Sequence, residues 1–270
     1  MPQYLPQLGA FFCRMSHIAM LYGLLLAIGT MSLAWNFFAM VAYPIVSKNW
    51  GRRIGRQAIA QCYRIFWTMA ECTGMLRIEA SCLDALRNEG GLIIIANHPS
   101  MLDALLLVSR LPRSACIMRA DLMENIFLGA GARLARYIRN DSALGMVKLA
   151  AQDLRKGGQL VVFPEGTRTV QQPLNAFQPG VTLISKLANA PIQTVFIDTN
   201  SPYLGKGWPL WRLPALPVIY QVTLGERFAA TPDRAAQLRV LENYYRTHMG
   251  AHAPSADPTA CQAPTTPTSF

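Results

Sequence analysis

The chain has 270 residues, of which 51% are hydrophobic and only 15% charged, with a formal net charge of +10. It is too apolar and too sparsely charged for an ordinary soluble domain, and long enough for one substantial core with an appendage. The positive balance calls for a polyanionic partner. With this much apolar surface an anionic bilayer fits better than nucleic acid, for which no helix-turn-helix, zinc-finger or aromatic RNA-binding pattern is present.

Residues 1–75 read as an N-terminal membrane or interfacial helical segment. Arg14 is the only Lys or Arg before His17, and from Ile18 to Ser47 there is no charged residue. A helix of about 30 residues spans ~45 Å, enough to cross the ~30 Å hydrocarbon core. Gly23, Gly29, Asn36 and Pro44 are possible breaks, so a spanning helix and a half-immersed one both remain open. The run is too long for a signal-peptide core and no small-x-small cleavage site follows it. Lys48, Arg52, Arg53, Arg56 and Arg64 come directly after, so the C-terminal side is expected to be cytoplasmic. Gly55 to Met75 continues as a helix with its arginines among Ile54, Ile59, Tyr63, Phe66 and Trp67. That pattern suits a helix at the headgroup level, and a solvated face on a globular helix fits almost as well.

Residues 76–250 alternate between strand and helix patterns. The expected strands are Leu76–Glu79, Leu92–Ala96, Ala115–Arg119, Leu160–Phe163, Ile192–Ile197 and Val218–Leu224. Helices are expected over Met101–Arg110, Asp121–Tyr137, Ala143–Lys156, Val181–Ala188 and Pro232–Met249. Strands separated by helices predict an α/β fold, a largely parallel sheet flanked by helices. Residues 251–270 are rich in Pro, Thr, Ala and Ser without a hydrophobic period, the composition of a disordered tail. The six cysteines form no C-x-x-C pair, which predicts no metal site and a reducing compartment.

Two stretches carry chemistry. Leu92–Ala96 is a short β-branched run bounded by Gly90-Gly91, and Asn97-His98-Pro99-Ser100-Met101-Leu102-Asp103 follows it. Pro99 holds His98 in an extended conformation, and Ser100 has the character of a helix N-cap. Asp103 lies one turn into that helix, within reach of His98. A carboxylate on one imidazole nitrogen fixes the tautomer and leaves the other nitrogen free as a base. Ser100-x-x-Asp103 is equally a capping-box pattern, in which the acid satisfies helix amides and has no catalytic duty. The second stretch, Leu160–Phe163, ends in Pro164-Glu165-Gly166-Thr167-Arg168, a tight turn whose guanidinium suits phosphate or carboxylate.

Together, Asn97-His98-x-x-x-x-Asp103 and Phe163-Pro164-Glu165-Gly166-Thr167-Arg168 resemble the glycerolipid and lysophospholipid acyltransferase family, the 1-acylglycerol-3-phosphate acyltransferase group. The resemblance covers roughly Ile78 to Gly225. It implies transfer of a fatty acyl group from acyl-CoA or acyl carrier protein to the hydroxyl of a lysophospholipid-like acceptor. It further implies His98 as general base with Asp103 behind it, and Glu165, Gly166, Thr167 and Arg168, with Arg139 and Asn97, around the acceptor. No metal or other cofactor is implied. The expected location is the inner membrane, with the catalytic domain on its cytoplasmic face among membrane lipids.

Two weaker blocks also match, Arg119-Ala120-Asp121-Leu122 and Ala190-Pro191-Ile192-Gln193-Thr194-Val195. One departs from the pattern. Where the family's second block ends in Asp-Arg, this chain has Tyr137-Ile138-Arg139-Asn140-Asp141-Ser142, so the Arg has become Ser142. Losing one charged contact to phosphate removes roughly 2 kcal/mol of binding. Arg139 is then the substitute, and an acceptor other than lysophosphatidate, such as an aryl polyene or lyso-ornithine lipid, is the alternative. A catalytically silent lipid-binding scaffold is the alternative of another class. A serine hydrolase is not expected, because there is no G-x-S-x-G elbow.

Overall fold

The computed structural model describes residues 4–171 and 173–251, so the tail assigned to residues 251–270 lies outside the described residues from 252 onward. Its centre is a seven-stranded sheet. The strands are β1 (Leu76–Glu79), β2 (Leu92–Ala96), β3 (Ser114–Arg119), β4 (Ile138–Asn140), β5 (Gln159–Val162), β6 (Ile192–Thr199) and β7 (Val218–Phe228). Their order is β1-β7-β6-β2-β5-β3-β4. From β6 across to β4 every pairing is parallel, while β7 runs antiparallel to β6 and parallel to β1. The sheet is therefore mixed and mostly parallel.

The apolar run in β2 follows from its central place. Leu92, Ile94 and Ala96 face one core, and Ile93 and Ile95 face the other. With both faces covered, alternation in the sequence disappears. The first core is closed by α1 (Tyr4–Ala42), α2 (Lys48–Cys72) and α3 (Asp103–Arg110). The second is closed by α5 (Ala143–Arg155), α6 (Gly180–Ala188) and α7 (Arg234–Ala251), with the short α4 (Gly129–Leu134) at the β3–β4 connection.

Four expectations change. The first helix starts at Tyr4 and runs unbroken through Gly23, Gly29 and Asn36, and only the turn containing Pro44 follows its end. The Asn36 amide is engaged both within the helix and beyond it. Its Oδ1 accepts from Gly131 N–H at 2.9 Å, and its Nδ2 donates to the Ser32 carbonyl at 3.0 Å and to the Phe127 carbonyl.

Second, the expected helix Asp121–Tyr137 is divided into a 3-10 turn at Ala120–Met123 and α4, followed by the unforeseen strand β4. The Asn125 side chain accepts from Phe127 N–H at 2.8 Å, a local turn that competes with helix. Third, α3 starts at Asp103 instead of Met101.

Fourth, the arginines of α2 are not all at headgroup level. Arg56 is 3% exposed, donates to both oxygens of Asp153 at 2.9 Å, and also reaches the carbonyls of Ala135 and Arg113. Arg52 joins Asp153 at 3.0 Å, and Arg64 donates to the Ser109 carbonyl. Gly55 directly precedes Arg56, and a Cβ there would meet the Ala135 backbone nitrogen at 2.6 Å, so α2 can approach that closely only without a side chain. By these contacts α2 is built into the α/β body.

Candidate active site

The site lies at the ends of β2 and β5, adjacent parallel strands in which Ile95 pairs with Val162. The two segments leaving them bind each other. His98 N–H donates to Glu165 Oε1 at 3.0 Å, and the His98 carbonyl accepts from Thr169 N–H at 2.8 Å. The His98 turn is thus held at both backbone polar groups by the second block.

The imidazole is fixed as firmly. Nδ1 lies 2.9 Å from Asp103 Oδ2, and the ring stacks on Phe163 with centroids 3.9 Å apart and 17° between planes. The His98 side chain is 17% exposed and that of Asp103 is 0%. No protein atom among the described residues bonds Nε2. Burial drives the Asp103 carboxyl up from the ordinary carboxylate range, against the opposing pull of His98 and of Ser100 N–H. Asp103 Oδ1 is buried with no hydrogen-bond partner, so the charged form depends on what Oδ2 receives.

The N-cap of α3 is Leu102 and not Ser100, so Ser100-x-x-Asp103 is a turn ahead of the helix, and it shares its carboxylate with the dyad. Asp103 Oδ2 also accepts from Ser100 N–H at 2.8 Å, and Ser100 Oγ accepts from Leu102 N–H at 3.3 Å. One carboxylate oxygen orders both the turn and the imidazole. The remaining amides of this turn are engaged too. Met101 N–H donates to the Leu204 carbonyl and Asp103 N–H to the Ser100 carbonyl. They are therefore not open to an oxyanion, as the start of a helix there would have left them.

Of the other residues named from the sequence, Asn97 is 2% exposed and exchanges both amide groups with the Ile197 backbone at 2.8 Å, extending the β2–β6 pairing by one step. Glu165 is 3% exposed. Besides His98 N–H it accepts from Thr169 Oγ at 2.7 Å and from Asn175 N–H at 3.0 Å, so both oxygens are engaged by the protein. Gly166 adopts φ of +70°, the conformation the turn needs, and Thr167 is exposed beside it. Arg168 uses Nη1 on the carbonyls of Leu204 and Gly205 at 2.9 and 3.0 Å.

Arg139 is further away. It lies on β4, three strand positions from β2, or roughly 14 Å. It is 45% exposed and paired with Asp141 at 2.9 Å. Ser142 is the N-cap of α5, accepting from Gly145 N–H. Among the described residues no group of three or more His, Cys, Asp or Glu converges.

Three supporting residues were not read from the sequence. Asn175 staples the Glu165 turn, with its own N–H on Glu165 and its Nδ2 on the Arg168 carbonyl. Tyr220, fully buried, donates to Ser100 Oγ at 2.9 Å, and burial pushes its phenol well above its ordinary value. The Tyr203 carbonyl accepts from Ser100 Oγ at 3.0 Å. These partners are far away in sequence, and no local pattern announces them.

A mixed α/β sheet thus carries a His-x4-Asp turn and a Pro-Glu-Gly-Thr-Arg turn on neighbouring strand ends. Residues 77–198 match the family model described as Acyltransferase. Among curated relatives, a putative 1-acyl-sn-glycerol-3-phosphate acyltransferase of Caenorhabditis elegans is 30% identical over 127 residues, 44% of this chain and 45% of that protein. The chain thus spans less than half of that relative's length. A 1-acyl-sn-glycerol-3-phosphate acyltransferase of Pseudomonas aeruginosa is 24% identical over 189 residues, 68% of this chain and 66% of that one. The crystal structure of the 1-acyl-sn-glycerophosphate acyltransferase PlsC from Thermotoga maritima shares the fold. The TM-score is 0.59 and the identity 16%, over 83% of this chain and 95% of that chain.

Proposed function

We propose that this chain transfers a fatty acyl group from an acyl thioester, of coenzyme A or of acyl carrier protein, to the hydroxyl of a lysophospholipid-like acceptor at a membrane surface. The observation that carries the reading is the imidazole of His98, held from behind by a buried carboxylate at 2.9 Å with Nε2 unengaged. Nε2 takes the proton of the acceptor hydroxyl as that oxygen attacks the thioester carbonyl. Asp103 holds the Nδ1 proton and is neutralised by the imidazolium that forms. Collapse of the tetrahedral species expels the thiolate, which recovers the proton from His98. No acyl-enzyme is required, because the thioester is already activated. Arg168 keeps its remaining guanidinium donors for the acceptor headgroup, next to the exposed Gly166-Thr167 turn.

The membrane part of the proposal rests on Phe11–Ala42, which is long and apolar enough to cross a bilayer. The helix touches the α/β body at a few points, with Leu21, Leu24 and Ala39 buried and most of its other apolar side chains facing outward, which supports a half-immersed position over one that leaves the protein behind. The arginines after it support the cytoplasmic face of an inner membrane. Lysophosphatidate is the first acceptor to test, because the named relatives above are of that type. The pairing of Arg139 with Asp141, and Ser142 acting as a cap, favour an acceptor with a different headgroup as the second.

The full chain, reconstituted in lipid with a labelled acyl thioester, should acylate at least one member of a lysolipid panel. Donor binding without transfer to any acceptor would instead support a lipid-binding scaffold.

A further inference from the structure

Outside α1, many of the exposed apolar side chains gather on one edge of the sheet. Met101 follows β2, Ile126 and Phe127 follow β3, Leu144 follows β4, and Leu210 and Trp211 lie in the β6–β7 connection. Because β2, β3, β4 and β6 are parallel, all these segments leave the sheet at the edge that carries His98. Ile126 is 70% exposed, Leu144 71% and Trp211 68%.

At this edge the β6–β7 connection meets α1, and between them is a cleft of about 550 Å³. Its walls include Ile18, Tyr22, Trp211 and Leu213, and two guanidiniums, Arg14 and Arg212, line it as well. Neither arginine has a carboxylate partner among the described residues. Arg212 is preset by lying over the Trp208 ring at 4.7 Å, while Trp208 Nε1 donates to the Arg212 carbonyl. Two unpaired cations on apolar walls match one amphiphile, an anion joined to a hydrocarbon chain. One wall is the apolar helix itself, so the cleft is continuous with the surface that would meet the bilayer.

We propose that this cleft seats an anionic phospholipid of the bulk bilayer, with its phosphate between Arg14 and Arg212 and a chain along Ile18, Tyr22 and Leu213. Trp211 enters the interface beside it. The seat has a consequence for the site, and here the inference rests on the acyl-transfer reading. The same connection supplies the carbonyls of Tyr203, Leu204 and Gly205 that hold Ser100, Met101 and Arg168. A lipid that steadies the connection steadies the wall of the site with it.

The test uses binding, so it does not depend on turnover. The full chain in the His98→Ala background is partitioned between detergent and vesicles of phosphatidylcholine, with or without phosphatidylglycerol. Arg14→Gln with Arg212→Gln should reduce the preference for phosphatidylglycerol vesicles by on the order of tenfold. A charge-matched control, Lys148→Gln with Lys206→Gln, places the same change outside the cleft and should cost markedly less. Equal losses in the two double variants would overturn the proposal, because net charge alone would then explain them. Brominated lipid chains should quench wild-type tryptophan emission more than that of Trp211→Phe. Identical quenching would remove Trp211 from the interface and overturn that part.

Discussion

The turn after β2 and the turn after β4 stand at the same end of the parallel part of the sheet and are built in opposite ways. In the first, Asn97, Ser100 and Asp103 are at most 2% exposed, and their polar groups, Asp103 Oδ1 apart, meet partners within the turn and from β6, the β6–β7 connection and the Glu165 turn. In the second, Arg139 and Asp141 are about half exposed and pair mainly with each other. A proton-transfer group must stay within a fraction of an ångström of its working position, which demands partners from several elements. A headgroup contact tolerates more play and can sit on the surface. On the proposed function, the difference separates a turn rigid enough for proton transfer from an exposed one that can offer a substrate only a weak contact.

The sharpest way to break the contrast is Asp103→Asn. It keeps the shape and loses the charge behind the imidazole, so acyl transfer should fall by on the order of a thousandfold. Full activity would show that the buried turn is only structural.

Glu165→Gln comes next. It leaves an amide among donors that need an acceptor, and should cost about 2 kcal/mol of stability and roughly tenfold in turnover. Denaturant melts beside activity measurements check both, and unchanged values in both would contradict the cross-strand role.

On the exposed side, Arg139→Gln should change kcat/KM for a phosphate-bearing acceptor by no more than a few-fold, because the group is half in solvent and already paired. A hundredfold loss would return Arg139 to the centre of acceptor binding.

The smallest effect is one of stability against pH. Burial raises the Asp103 carboxyl above its unfolded value, so its contribution is fully present below the ordinary carboxylate range and is lost as pH rises through the raised folded value. Asp103→Asn has no such loss, so the variant should gain on wild type across that window. A gap that stays constant with pH would argue against the burial effect.

What could be read from the sequence follows from where the partners lie. The strands β2 and β5 were legible because their apolar runs are short, β-branched and closed by Gly or Pro. The His98–Asp103 pair was legible because both residues belong to one turn. β4 was not, since a three-residue edge strand has no period to detect. The resemblance implies outward-facing roles for Asn97 and Glu165, and the local pattern one for Arg56, yet the groups that engage them are Ile197, Asn175 and Asp153, and Asp153 is 97 residues from Arg56. Local chemistry shows that a polar residue needs a partner, and only the fold says which one.

The central claim is that His98 removes the acceptor's proton. Turnover of a lysophospholipid and an acyl thioester by His98→Ala, normalised to folded membrane-bound protein, tests it directly. A loss of at least ~100-fold is expected, with vesicle binding intact. Near-normal turnover in that variant would contradict it.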